Sequence, residues 1–250
     1  MRAEWIVGLT LLAGCGSAEH DAGHGEHEHG EPEHGDHEHG EHEHGEHGHG
    51  DHGHGDDGAT VTHRFEDAEA WAARFEDPER DAWQQPERVL ELLALPADGK
   101  LVDIGSATGY FPVRFAQAMP QGVVYGVDVE PTLVNYLNLR AQREGLSNLV
   151  SLVCAYDDPR IPEPVDVIFV CDTYHHIDDR VRYFSALIPL LRPGGRLVIV
   201  DFKPGELPVG PKPGHKLAPD KVQAELAEAG YALASQDELP YQYLLVFTAK

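Results

Sequence analysis

The residues best suited to chemistry follow apolar runs at four places along the chain. The first is Val102-Asp103-Ile104-Gly105-Ser106-Ala107-Thr108-Gly109-Tyr110, a turn of small residues carrying two glycines. Glycines there allow dihedrals closed to other residues and let the backbone approach a ligand closely. A helix opening next presents free N–H groups to a ligand's polar end. Asp128-Val129 comes nineteen residues past Gly109, and a carboxylate there offers two acceptor oxygens to vicinal ribose hydroxyls. Tyr156-Asp157 places an acceptor where it can take the exocyclic amine of an adenine. The run Cys171-Asp172-Thr173-Tyr174-His175-His176 supplies an acid and two imidazoles, and a histidine of ordinary pKa, about 6.5, can act as a general base. Either histidine can instead cap or pack the following helix; His176 is preferred by a margin because it lies deeper in the turn. Each acid, taken alone, also suits a helix cap.

The elements that must hold these residues alternate. Apolar residues at helical spacing mark Ala68–Phe75, Pro86–Leu93, Phe111–Met119, Pro131–Arg143, Tyr183–Leu191 and Asp220–Ala229 as helices. Strands are expected at 100–104, 123–127, 149–154, 165–171, 196–202, 231–235 and 243–248, the fifth entered through the Pro193-Gly194-Gly195 turn. Such alternation means an α/β fold, a mainly parallel sheet with helices on both faces, whose ligands bind beyond the carboxyl ends of the strands. Trp83-Gln84-Gln85-Pro86 either closes a lid over that edge or packs into the core, and Leu239-Pro240-Tyr241-Gln242-Tyr243 either lines the pocket or simply enters a strand.

Taken as a set, the glycine turn, Asp128, the Asp157 segment, Val165-Asp166-Val167-Ile168-Phe169 and Leu191-Arg192-Pro193-Gly194-Gly195 resemble the class I S-adenosylmethionine-dependent methyltransferases over about residues 83–248. The resemblance implies a Rossmann-like sandwich with a seven-stranded sheet whose last strand is antiparallel. It implies a cofactor site built from Asp103, Gly105, Ser106, Ala107, Gly109, Tyr110, Asp128, Val129, Tyr156, Asp157 and Cys171. It also puts the methyl acceptor, a small molecule or a protein, beside Asp172, His175 and His176. Ala107 stands where the family more often has glycine. A nicotinamide site is disfavoured, because its fingerprint wants glycines where this chain has Ala107 and Tyr110. Metalloid methylation, which relies on several thiols, is disfavoured too. Cys154 and Cys171 end strands that are not neighbours in the family's sheet, and the plainer reading is two buried free thiols.

Ahead of this domain, taken as residues 60–250, stand two segments of other character. Residues 19–57 hold thirteen histidines and fourteen acids with no lysine or arginine, and so account for −14 of the formal −24 charge. An acidic balance of this kind argues against nucleic acid as a routine partner. From Gly35 the segment repeats every five residues, presenting His37, His39, His42, His44, His47, His49, His52 and His54 in pairs two apart. Such imidazoles can converge on zinc, nickel or copper without a preformed fold, and a segment with so few apolar side chains (residues 16–59) should be disordered when free. The first fifteen residues combine Arg2, the apolar run Trp5–Ala13 and Leu12-Ala13-Gly14-Cys15, which resembles the lipobox of bacterial lipoproteins. That implies export and a lipid on Cys15, anchoring the chain at the bacterial cell envelope; the domain is cytoplasmic if the leader is not functional. S-adenosylmethionine is made in the cytoplasm. The leader therefore keeps a second class of function open, an exported metal-binding lipoprotein whose methyltransferase-like domain is a non-catalytic binding module.

Overall fold

The computed structural model describes residues 68–250; the leader, Cys15 and all the paired histidines lie outside the described residues. Three short helices come first, α1 (Ala68–Phe75), α2 (Glu79–Gln84) and α3 (Pro86–Leu93). The alternating body follows: β1 (Lys100–Ile104), α4 (Tyr110–Ala118), β2 (Val123–Asp128), α5 (Pro131–Arg143), β3 (Leu149–Val153), β4 (Val165–Cys171), α6 (Arg180–Leu187), β5 (Leu191–Phe202), α7 (Pro219–Glu228), β6 (Tyr231–Glu238) and β7 (Gln242–Ala249). The seven strands form one sheet in the order β3-β2-β1-β4-β5-β7-β6. Strands β1 to β5 run parallel, and β7 is antiparallel to both β5 and β6. The fold implied by the resemblance is therefore the fold observed.

The near-continuous apolar runs in the central strands reflect burial on both faces. Side chains alternate across a strand, so each run feeds two cores. Val102, Ile104, Ile168, Val170, Leu197 and Ile199 meet α6 and α7 on one face. Leu101, Val167, Phe169, Val198 and Val200 meet α3, α4 and α5 on the other. Phe169 is fully buried, edge-on to Phe111 and Phe115 at 5.0 Å from each, and burying one such side chain contributes about 1.5–3 kcal/mol. These packed layers fix the heights of the strand ends, and with them the candidate site.

Several boundaries shift by one residue, β6 runs on to Glu238, and two others differ in kind. The helix expected from Tyr183 starts at Arg180 and gives way to a 3-10 turn at Ile188–Leu190. Strand β5 begins at Leu191: Leu191 pairs with Val165 and Arg196 with Val167, so the Pro193-Gly194 turn bulges out to solvent within the strand. Helix α2 was not expected at all. It has six residues between Pro78 and Pro86, with Gln85 in the left-handed region at φ 49°, and is too short to show a hydrophobic period.

Candidate active site

The carboxyl ends of β1, β2, β4 and β5 bring four aspartates to one edge of the sheet. After β1, Gly105 and Gly109 hold φ values of 79° and 98°, and Ala107 between them is left-handed as well, at 45°. Gly105 leaves no room for a side chain: an added Cβ would lie 2.2 Å from Thr173 Oγ1 and 2.9 Å from Thr173 Cβ. The N–H groups of Gly105 and Ser106 donate to the Val127 carbonyl, and that of Ala107 donates to Asp128 Oδ2 at 2.9 Å. Asp128 thus ties β2 to the glycine turn. Its other oxygen accepts from the Glu130 N–H at 3.0 Å, which leaves lone pairs on both oxygens. Burial raises its pKa, against these backbone hydrogen bonds. Val129 follows it, partly buried against the α6–α7 core.

Asp103 is 3% exposed, and its Oδ1 has no hydrogen-bond partner; neither does the buried Ser106 Oγ. Burial, reinforced by the charge of Asp128, holds the Asp103 carboxyl well above its usual range. An orphaned buried carboxylate oxygen costs roughly 1–3 kcal/mol or more, so native structures seldom keep one without a use. Tyr110, also buried, opens α4 and donates to Asp81 of α2. Tyr156 and Asp157 stand away from this cluster in being exposed, Tyr156 at 67%.

Beyond β4, Cys171 is buried and receives the Gln84 amide at 3.3 Å. Burial lifts the Cys171 thiol, and lifts Cys154 to about 12, so both are inert as nucleophiles at neutral pH. Asp172 sits at φ 54°, accepts from Gln242 and pairs with Arg80 at 3.4 Å. Burial, opposed by Arg80, raises its carboxyl to about 6. A 3-10 turn, Tyr174–His176, then carries both histidines and gives them different exposure. His175 Nδ1 lies 3.0 Å from both oxygens of Asp201, with the imidazole 4% and the carboxylate 0% exposed. His176, preferred from its position in the turn, is the exposed one, its ring tilted 42° to that of His175 at 4.2 Å between centroids. The turn folds that way because its other aromatic, Tyr174, is drawn into the core and donates to Glu225 at 2.8 Å. Arg180 clamps the same Glu225 through two nitrogens and also donates to the Ile177 carbonyl.

Burial alone would lower the pKa of His175. The hydrogen bond and charge of Asp201, with the charge of Asp172, overcome burial and raise it. Asp201 ends an apolar strand, Val198-Ile199-Val200, just as Asp103 and Asp128 do, and that shared pattern is the signal that identifies it in the sequence. Arg80 and Glu225 lie on helices and carry no such signal. Gln84 and Gln242 fall within the two stretches read as lid or pocket lining; the structure buries both and hydrogen-bonds them to each other. Trp83 packs near Phe202 and Tyr241, at 5.7 and 6.4 Å.

Among the described residues no group of three or more metal-ligating side chains converges. A hollow of about 450 Å³ between α1 and α5 is lined by Glu69, Ala72, Ala73, Glu76, Tyr136 and Arg143, none of them from a strand end.

A sheet of this order, with a glycine turn after β1 and an acid after β2, defines the class I methyltransferase fold. The chain belongs to the methyltransferase-domain family, which it matches over residues 96–241. It is 29% identical over 168 residues to 27-O-demethylrifamycin SV methyltransferase of Amycolatopsis mediterranei (strain S699), covering 61% of each chain. It is 30% identical over 128 residues to the methyltransferase GfsG of Streptomyces halstedii, covering 50% of this chain and 46% of the relative. It therefore spans about half to three-fifths of these curated relatives. Among solved structures, a SAM-dependent methyltransferase from Aquifex aeolicus superposes with a TM-score of 0.68 at 26% identity, covering 74% of this chain and 99% of that one.

Proposed function

We propose that the domain transfers the methyl group of S-adenosylmethionine to a hydroxyl of a small molecule, with His175 as the general base. The observation that carries this reading is the buried His175–Asp201 pair at the ends of β4 and β5, beside the glycine turn. A small-molecule acceptor is supported by the relatives' names, one of which acts on a demethylated rifamycin.

The residues present fit the cofactor. Asp128 keeps lone pairs for the ribose hydroxyls, the left-handed turn of Gly105 to Gly109 admits close backbone approach, and Asp103 Oδ1 lacks a partner. When bound, S-adenosylmethionine supplies a methyl carbon already activated by its sulfonium. The chain's own task is then to align the acceptor, exclude water and remove one proton. Alignment can contribute up to roughly 7–11 kcal/mol in the best cases. The Asp201 carboxylate receives N–H from His175 Nδ1, which leaves Nε2 as the lone-pair nitrogen able to take a hydroxyl proton. Tyr174, Arg180 and Glu225 hold that turn in place. Gln84 and Gln242 close the floor behind Cys171.

The sequence also supports two proposals about the N-terminal segments: a lipid on Cys15, and divalent metal on His37 to His54.

The reading is tested by following S-adenosylhomocysteine release from the full chain with a panel of phenols, alcohols and quinols. Turnover with any hydroxylated acceptor, reduced at least about 100-fold in His175→Gln, is the expected result. Turnover unaffected by that substitution would remove His175 from the chemistry.

A further inference from the structure

Lys216 is the only lysine or arginine buried among the described residues, at 8% exposure. It lies near the end of the loop 203–218, which joins β5 to α7. That loop is drawn across the carboxyl end of β5. Gly210 packs on Phe202 so closely that an added Cβ would lie 2.5 Å from Phe202 Cε1. The Lys216 ammonium lies 6.0 Å from the centroid of the same ring, and the Tyr243 hydroxyl donates to the Leu217 carbonyl at 3.2 Å. Phe202 follows Asp201, the partner of His175, and its N–H donates to Asp201 Oδ1 at 2.7 Å.

An ammonium has three donors and no acceptor. Lys216 Nζ gives one to the Gly205 carbonyl at 3.0 Å; among the described residues it makes no other hydrogen bond and no ion pair. Lys203, at the start of the same loop, pairs with Glu238 and donates to the Leu239 carbonyl. A buried charge is costly unless an opposite charge meets it. A clamp on the Gly205 carbonyl would need only a neutral donor.

Two further features narrow that opposite charge to one kind of ligand. Residues 203–216 carry three lysines and one acid, in a chain of formal charge −24. A local excess of one sign raises the concentration of small ions of the other. Beside the ammonium stands an aromatic wall, with Trp83 at 5.7 Å from Phe202 and 6.4 Å from Tyr241 between centroids. Phe202 is buried and the other two are partly exposed, which suits the stacking of a planar ring.

We propose that Lys216 recognises an acidic group on the methyl acceptor, and that the acceptor is a hydroxylated aromatic acid whose ring lies against Trp83, Phe202 and Tyr241. This rests on the reading of the domain as a methyltransferase acting on a hydroxyl. Lys216 then fixes which hydroxyl reaches His175 and takes no part in the proton transfer.

The test uses the full chain with hydroxybenzoates and hydroxynaphthoates, each beside its uncharged carboxamide. Calorimetric titration in the presence of S-adenosylhomocysteine should show at least one acid bound about tenfold or more tighter than its amide, as a charge-assisted hydrogen bond implies. Lys216→Gln keeps a donor for the Gly205 carbonyl but loses the charge. It should bring the preference to about unity and leave affinity for the amide unchanged. Lys216→Arg keeps the charge and should retain most of the preference, as should Lys212→Gln at an exposed lysine of the same loop. In turnover with S-adenosylmethionine, Lys216→Gln should raise KM for the acid with kcat little changed. A residue that only clamps the loop would affect acid and amide alike. Should Lys216→Gln fail to fold, the wild type and Lys212→Gln decide. Equal wild-type affinity for acid and amide, a preference that survives in Lys216→Gln, or one lost in Lys212→Gln overturns the proposal. So does methylation of neutral phenols but of no acid, which leaves the hydroxyl reading intact. Acids that bind through Lys216 while neither acids nor phenols are methylated would instead overturn the hydroxyl reading.

Discussion

Replacing Gly105 with alanine should damage the domain in a way that separates backbone strain from collision. Gly105 and Gly145 both adopt left-handed backbone, at φ 79° and 70°. An alanine at either position bears a left-handed cost of roughly 1–2 kcal/mol. At Gly145 nothing lies within 4 Å of the added Cβ, so strain is the whole effect. At Gly105 the methyl meets Thr173 at Oγ1, Cγ2 and Cβ, at 2.2, 2.7 and 2.9 Å. Rotating the threonine cannot move its Cβ, so backbone must shift, and overpacking of this kind adds typically 1–3 kcal/mol. Gly105→Ala should therefore cost roughly 2–5 kcal/mol and Gly145→Ala roughly 1–2. Urea denaturation of the full-length variants reads the difference, and titration with S-adenosylmethionine reads the site. Gly105→Ala should also bind the cofactor at least about tenfold more weakly, which needs only about 1.4 kcal/mol, whereas Gly145→Ala should bind normally. Equal stability costs for the two variants would refute the packing of Thr173 on the turn.

Other perturbations test separate parts of the account. Because the folded state holds the His175 proton more tightly than the unfolded chain, this pair stabilises fully below about pH 6.5 and fades as pH rises through the elevated folded pKa. Asp201→Asn should flatten that slope in pH-dependent denaturation, and NMR of the imidazole should show its pKa falling; an unchanged imidazole titration would contradict the pairing. Ala107→Gly relieves a left-handed alanine at φ 45° but adds glycine's unfolded-state entropy, so a net gain of about 0.5–1 kcal/mol in urea denaturation is expected. A loss of stability would show that the turn is not strained there. Zinc titration of the full chain should show several sites lost below about pH 6 as the paired imidazoles protonate; binding that persists at pH 5 would point to carboxylate ligands instead.

Most of the fold is legible in the sequence because its elements are either continuous or periodic. Lys100–Ile104, Pro131–Arg143 and Val165–Cys171 match their sequence expectations end to end, since apolar runs, an N-terminal proline and terminal polar residues punctuate them. Helix α2 is not legible, because six residues with one large apolar side chain, Trp83, give no pattern to read. Asp103 and Asp128 announce themselves by position at the ends of β1 and β2; Asp201, at the end of β5, follows the same rule but is not singled out in the sequence reading. Which histidine is buried is another matter. His175 and His176 are adjacent and chemically identical, and it takes Asp201 on β5 and the hold of Glu225, 51 residues along the chain, on Tyr174 to turn His175 inward. Arg80 is equally silent, because its meaning depends on a helix packing over Tyr110.

The strand-end acids and the glycine turn are proposed to form the site for S-adenosylmethionine. Calorimetric titration of S-adenosylmethionine, and separately of NADH, into the full chain and its Asp128→Ala variant tests it most directly. The account predicts about micromolar affinity for S-adenosylmethionine, a loss of at least about tenfold in the variant, and no binding of NADH. A folded wild type that does not bind S-adenosylmethionine, or a variant that binds it as tightly, would contradict the account.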